Sequence, residues 1–96
     1  MTEDIIQILK EIINIRNQER KALYKDFNDE DISDDDPRVN QTRIQLFDCP
    51  DTVGDSKDIL YQNGGVIVYY CHHYDYAEVI GLSDEDYNKV FDEVGE

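Results

Sequence analysis

The chain is poor in positive charge and in long apolar runs, and each shortage excludes a class of function. Its 96 residues hold 9 Lys and Arg against 23 Asp and Glu, which gives a formal net charge of −14. Phosphate groups are repelled by such a surface, so we expect no direct binding to nucleic acid or to anionic membranes. The longest apolar run, Val66–Cys71, is far shorter than the roughly 20 residues that span a bilayer.

Cysteine is also scarce, because the chain has only Cys49 and Cys71. Two cysteines do not make the disulfide framework that small secreted domains use. The first residues are acidic, whereas the start of a secretory signal is basic. We therefore expect a cytoplasmic protein with reduced thiols.

Enough apolar material is present for one folded domain spanning 1–96. Hydrophobic residues make up 40% of the chain and include ten aromatics, seven Tyr and three Phe. Apolar residues recur at helical spacing through residues 1–27, with Thr2 as a candidate cap. Alternating patterns predict four strands separated by an Asn63-Gly64 hairpin turn and a loop at 51–56, with strand positions at 41–48, 57–62, 65–71 and 76–82.

A second helix is predicted after Ser83, which is a good N-cap with Asp86 three residues later. The order of elements predicts an α+β fold. It has a long N-terminal helix, a three- to four-stranded antiparallel sheet and a C-terminal helix packed on that sheet. The segment 28–37 is rich in acids and ends at Pro37, so we expect a mobile acidic loop there.

The negative charge is concentrated in two blocks. Residues 28–36 carry six acids and no base, and residues 76–96 carry seven acids against Lys89. Together the blocks could form a strip of carboxylates that competes with DNA phosphates for Lys and Arg clefts, with nearby tyrosines as anchors. The candidate partner-binding residues are Asp29, Glu30, Asp31, Asp34, Asp35, Asp36, Tyr74, Asp75, Tyr76, Glu78, Asp84, Glu85 and Asp86.

Catalytic and metal motifs are weak. Asp29-x-Asp31-x-Ser33 begins like a calcium loop, but Asp34 and Asn40 stand where Gly and Glu are required. No nucleophile constellation, phosphate loop or dinucleotide fingerprint is visible, so we predict no enzyme activity and no cofactor. A metal-binding or redox role for Cys49, Cys71, His72 and His73 stays open as a minor alternative, although their spacing matches no zinc pattern.

In size, mixed α/β make-up and acid clusters, the chain resembles the type II-A anti-CRISPR proteins, the small phage-encoded inhibitors of Cas9. The clusters that carry the resemblance are Asp29-Glu30-Asp31, Asp34-Asp35-Asp36 and Asp84-Glu85-Asp86. Some members of that group present carboxylates to the basic cleft in which Cas9 reads the PAM duplex. The resemblance implies the same mode here, against Cas9 loaded with its guide RNA.

Two function hypotheses follow. The first is an acidic DNA mimic that blocks a nucleic-acid enzyme, with Cas9 as the leading target, in the cytoplasm of a bacterial host. The alternative is an immunity or adaptor protein for a basic host or toxin protein, unrelated to DNA defence. Both need a basic protein partner, and both allow a monomer or a homodimer.

Overall fold

The computed structural model describes residues 1–50 and 57–96, and the predicted loop at 51–56 lies outside this range. The elements, in chain order, are α1 Thr2–Asn28, β1 Gln45–Phe47, β2 Lys57–Asn63, β3 Val66–Cys71, β4 Tyr76–Ile80 and α2 Asp84–Val94. The predicted α+β architecture is confirmed. Within the described residues, no helix combines the length and the apolar character that a membrane crossing requires.

The sheet has the strand order β1-β4-β3-β2. β2 pairs with β3 and β3 with β4 in antiparallel fashion, whereas β1 pairs with β4 in parallel, with Leu46 opposite Ala77. The sheet is therefore mostly antiparallel, with one parallel pair. β1 is also shorter than predicted, because Ile44 bonds to the C-terminal end of the chain: its N–H donates to Val94 at 2.7 Å and its carbonyl accepts from Glu96 at 3.1 Å.

The hairpin between β2 and β3 is displaced by one residue from the predicted turn. Asn63 pairs with Val66, so the two loop residues are Gly64 and Gly65. Their φ angles are +56° and +83°. A tight hairpin turn of the primed type needs positive φ at both central residues, and glycine adopts it without steric cost.

Both helices cover one face of the sheet. α1 contributes Ile5, Leu9 and Ile13, which are four residues apart and lie along one stripe of the helix. These side chains pack with buried residues of the sheet and of α2, namely Leu46, Val66, Val68, Tyr70, Ala77, Val79, Val90 and Val94. The core is therefore a helix layer on a sheet, as the periodicity predicts.

The two helices differ in how their ends are capped. Ser83 caps α2, and its hydroxyl accepts the N–H of Asp86 at 3.2 Å. Arg43 caps the other end, donating to the carbonyl oxygens of Gly95 at 2.6 Å and Asp92 at 3.1 Å. Thr2 does not cap α1. The N-cap residue is Met1, whose side chain makes no capping hydrogen bond.

α1 extends beyond the sheet. Its 27 residues span about 40 Å at 1.5 Å per residue, and the longest dimension of the molecule is 45 Å. The buried positions end at Ile13, and Leu23 and Phe27 near the C-terminus are 53% and 80% exposed. We call residues 21–28 of α1 the overhang.

Candidate functional site

The first acidic block, residues 28–36, is held against the overhang by the chain's own lysines. Lys21 lies 2.9 Å from Asp34, and Lys25 lies 3.2 Å from Asp29 and 3.3 Å from Asp31. Accordingly, the carboxylates near Lys25 raise its pKa, and the ammonium of Lys21 lowers the pKa of Asp34. Part of the block's charge is thus compensated within the protein.

Arg38 binds the remainder of this block. Its guanidinium lies 2.8 Å from both Glu30 and Asp36, and it stacks 5.2 Å above the ring of Tyr24. Hydrogen bonds from the side chain and the backbone N–H of Arg38 lower the pKa of Asp36 to about 2. Five of the block's six acids therefore form ion pairs inside the chain.

The predicted mobility of 28–37 stays a prediction. Ile32 is buried in the middle of the block, and Val39 is buried just after it. The N–H groups of Val39 and Asn40 donate to the carbonyl oxygen of Asp36 at 3.0 and 2.8 Å. The block thus has apolar and hydrogen-bonded attachments as well as ion pairs.

Most acids of the second block lie on α2, and ion pairs within the protein compensate less of their charge. Asp84, Glu85 and Asp86 occupy the first turn, where the helix dipole favours carboxylates. In the described parts of the chain, the ion pairs of α2 are long: Lys89 to Asp86 at 3.9 Å, and Lys10 to Glu93 at 3.7 Å. Among the same residues, Asp84, Glu85 and Asp92 form no ion pair.

The N-terminal half of α1 adds to this second block, which the sequence reasoning missed. α1 carries five acids and five bases, but its Glu3, Asp4 and Glu11 precede the cluster of Arg and Lys in its second half. A helical wheel places these three acids away from the stripe of Ile5 and Leu9. The order of acidic and basic residues along α1 could therefore have predicted this contribution.

α1 and α2 pack side by side, so their exposed acids share one layer. We call this surface the outer helix face, and it consists of Glu3, Asp4, Glu11, Asp84, Glu85, Asp86, Asp92 and Glu93. Among the described residues, Lys10 and Lys89 form ion pairs with its carboxylates, and the guanidinium of Arg43 contacts the backbone carbonyl of Asp92. Eight carboxylates, two lysines and one arginine give this face a net charge of −5.

The start of α2 lies far from the first block. β4 begins next to Asp75, which contacts Arg16 and Arg20 of α1, and it ends near Ser83, where α2 starts. Its five residues separate these points by about 16 Å. The first block lies beyond Arg20, against Lys21 and Lys25 of the overhang. The chain after α2 comes closer to it, because Glu96 lines the same pocket as Arg16, Arg20 and Asp75. The strip of carboxylates formed by the two blocks stays a prediction.

Asp75 is an internal connector between α1 and the sheet. It has a left-handed backbone conformation, with φ +56°, in the turn between β3 and β4. Its carboxylate lies 2.9 Å from Arg16 and 3.3 Å from Arg20, and it accepts the hydroxyl of Tyr70 at 3.1 Å. Burial and the negative charge of Asp75 raise the pKa of Tyr70 to about 12. The neighbouring Tyr74 is 61% exposed.

Two of the candidate residues lie on β4 and have buried side chains. Glu78 is 1% exposed, and its carboxylate lies 2.7 Å from the ammonium of Lys57. Tyr76 is 5% exposed, and its ring meets Phe47 edge to face at 5.3 Å. Both side chains are buried, so they are not part of the surface that the protein presents to a partner.

The cysteines and histidines do not converge. Cys49 is exposed and Cys71 is buried at the end of β3. His72 lies 3.2 Å from Asp58, and the ring of His73 contacts Tyr74 edge to face at 4.7 Å. Over residues 1–50 and 57–96, no group of three or more His, Cys, Asp or Glu side chains is arranged to hold a metal ion.

Comparison of the chain with protein-family models, with curated protein sequences and with solved structures found no match.

Proposed function

We propose that this protein is an acidic, non-enzymatic inhibitor that occupies a basic nucleic-acid-binding cleft of another protein. The observation that carries the proposal is the outer helix face, on which eight carboxylates meet two lysines and one arginine among the described residues. Carboxylates free of internal partners are available for the Lys and Arg side chains that otherwise hold phosphates.

The geometry of α2 suits this role. Glu85 and Asp92 are seven residues apart and fall on the same side of the helix, about 10.5 Å apart along its axis. Val90 and Val94 anchor the opposite side in the core. The carboxylates are thus presented on a rigid element, which limits the entropy lost when a partner binds.

The leading target is Cas9 with its guide RNA, and the proposed site of action is the cytoplasm of a bacterial cell. This choice of target comes from the resemblance in size and acid clusters to type II-A anti-CRISPR proteins. The protein would exclude target DNA stoichiometrically, and opposite charges would accelerate its association with the cleft.

A Cas9 DNA-cleavage assay tests the proposal. The purified protein is added at rising molar ratio to guide-loaded enzyme, at two salt concentrations. We expect inhibition to saturate near equimolar amounts and to weaken at the higher salt, because salt screens exposed charges. If no inhibition occurs with any of several type II-A enzymes, Cas9 is excluded as the target. A pull-down from host lysate would then test the immunity or adaptor alternative.

A matched pair of variants locates the contact. Glu85→Lys/Asp92→Lys reverses two charges on the outer helix face, and Asp31→Lys/Asp35→Lys reverses two in the first block, with the same change in net charge. Since the charge contacts would be made by the outer face, we expect the first pair to weaken inhibition about tenfold and the second pair to have a much smaller effect. Equal effects would show that net charge alone governs inhibition.

A further inference from the structure

The apolar stripe of α1 continues past the body of the protein. At 100° per residue, Leu23 and Phe27 fall on the same side of the helix as the buried Ile5 and Leu9. The sheet ends before it reaches them, so Phe27 is 80% exposed and Leu23 is 53% exposed. A large apolar side chain that faces solvent beside others of its kind is typical of an interaction surface.

These side chains form a groove. Its lining residues are Arg20, Leu23, Tyr24, Phe27 and Asn28. Tyr24 is fixed in place because the guanidinium of Arg38 lies over its ring, 5.2 Å from the centre. The first acidic block attaches to a different side of the overhang, through Lys21 and Lys25. The block thus steadies the helix without filling the groove.

The border of the groove is acidic. Glu19 and Asp26 are exposed and lie next to Leu23 on the helix surface. Glu19 also lies 3.8 Å from Arg16, a longer ion pair than the one that Arg16 forms with Asp75. The nearby cations are already engaged, since Arg16 and Arg20 contact Asp75 at 2.9 and 3.3 Å. An apolar floor with an acidic border fits an element that has an apolar stripe bordered by Lys and Arg.

We propose that this groove binds a basic amphipathic helix of a partner protein. Apolar side chains of that helix pack on Leu23, Tyr24 and Phe27, and its lysines or arginines meet Glu19 and Asp26. This is the helix-in-groove mode of peptide recognition. The surface shares no residue with the outer helix face.

A second copy of this chain fits the groove less well. Each copy carries a net charge of −14, so two copies repel each other. A stable dimer buries about 800 Å² per partner, far more than a few side chains on one protruding helix supply. Charge complementarity therefore favours a basic partner.

The test uses a fluorescein-labelled peptide of about 14 residues, built from Leu and Lys at amphipathic helical spacing. Its binding to the full-length protein is measured by fluorescence anisotropy. We expect binding to weaken at least tenfold in Phe27→Ser and in Leu23→Ser. Ile15→Ser, which changes a half-exposed apolar residue outside the groove of the same helix, is the matched control and should bind like the unmodified protein. Circular dichroism checks that each variant keeps its helix content.

Glu85→Lys/Asp92→Lys should retain peptide binding, which separates this proposal from that of the outer helix face. The proposal is overturned if Phe27→Ser and Leu23→Ser bind as tightly as the unmodified protein. It is also overturned if a scrambled peptide of the same composition binds equally well. Light scattering that shows a dimer, lost in Phe27→Ser, would assign the groove to a second copy.

Discussion

The two acidic blocks contain similar numbers of carboxylates but differ in what surrounds them. The first block, residues 28–36, lies against Lys21, Lys25 and Arg38 at distances of 2.8 to 3.3 Å. On the outer helix face the ion pairs are 3.7 and 3.9 Å long, and several carboxylates face solvent. A run of acids in sequence therefore does not reveal how much negative charge a surface presents to a partner.

The position of the cations produces this difference. α1 is neutral overall, yet its acids are concentrated in the first half and its bases in the second. Lys21 and Lys25 meet the first block because the chain folds back along the overhang after Asn28. Among the described residues, the acids of the first half form no ion pair, and they extend the negative charge of α2. Folding thus compensates one block and leaves the other available.

Glu78 is the extreme case of an acid used within the fold, and it gives the largest expected effect. Lys57→Met removes the cation 2.7 Å from a carboxylate that is 1% exposed. Because the carboxylate stays buried, we expect the free energy of unfolding to fall by about 3 to 5 kcal/mol. Urea denaturation measures this change.

Lys89→Met is the control for that prediction. Lys89 lies 3.9 Å from Asp86 on the surface of α2. Exposed ion pairs contribute at most about 1 kcal/mol, so this variant should be nearly as stable as the unmodified protein. Similar losses in both variants would contradict the distinction between internal and surface carboxylates.

Asp75→Asn tests the connector between α1 and the sheet. Asparagine tolerates the left-handed backbone at this position, so the change removes mainly the charge. We expect a loss of about 1 to 2 kcal/mol, because hydrogen bonds to Arg16, Arg20 and Tyr70 are weakened. Chemical denaturation at neutral pH gives the value. An unchanged stability would show that Asp75 does not hold α1 in place.

The same variant should change the titration of Tyr70. Its pKa of about 12 lies above the usual 10, so the protonated phenol stabilises the fold fully below pH 10. That contribution is lost as the pH rises from 10 towards 12. Since burial is the largest cause, Asp75→Asn should lower the pKa only partly. Absorbance titration against Tyr70→Phe resolves this tyrosine, and an unshifted titration would contradict the contact.

A smaller change in stability should have opposite signs in the two blocks. Asp92→Asn removes a carboxylate that forms no ion pair among the described residues, near the C-terminal end of α2, where the helix dipole disfavours negative charge. We expect the stability to rise by about 0.3 to 0.5 kcal/mol at low salt. Asp31→Asn removes a partner of Lys25 and should lower stability by a similar amount. Changes of the same sign would show that both blocks are compensated alike.

The smallest effect concerns Asp36. Its pKa of about 2 lies below the usual 3.8, so the ionised form stabilises the fold above pH 4. That contribution is lost as the pH falls from 4 towards 2. Arg38→Gln removes the side-chain hydrogen bonds, which are the largest cause, so the pKa should rise towards 3.8. Carboxyl chemical shifts in an NMR titration report it, and an unchanged pKa would exclude the pair.

Some of this structure could be predicted from sequence because local signals decide it. Ser83 caps α2, and helical spacing places Ile5 and Leu9 in the core. The sequence predicts the hairpin turn one residue too early, at Asn63-Gly64 instead of Gly64-Gly65. These features depend on neighbours within a few residues. The α+β class follows from their order along the chain.

Other features depend on contacts between distant residues. The parallel pairing of β1 with β4 and the bonding of Ile44 to the C-terminal end of the chain join residues far apart in sequence, so no local pattern predicts them. Glu78 looks like a surface acid in sequence, but Lys57 across the sheet allows it to be buried. The compensation of residues 28–36 likewise requires knowing that Arg38 and the lysines of α1 converge on them.

We infer that the outer helix face, rather than the first block, presents the negative charge that a basic partner can reach. An NMR titration of the isotope-labelled protein with a short oligo-arginine peptide tests this inference. We expect the largest amide shift changes at Asp84, Glu85 and Asp92, with smaller changes at residues 28–36. Larger changes at residues 28–36 would contradict it.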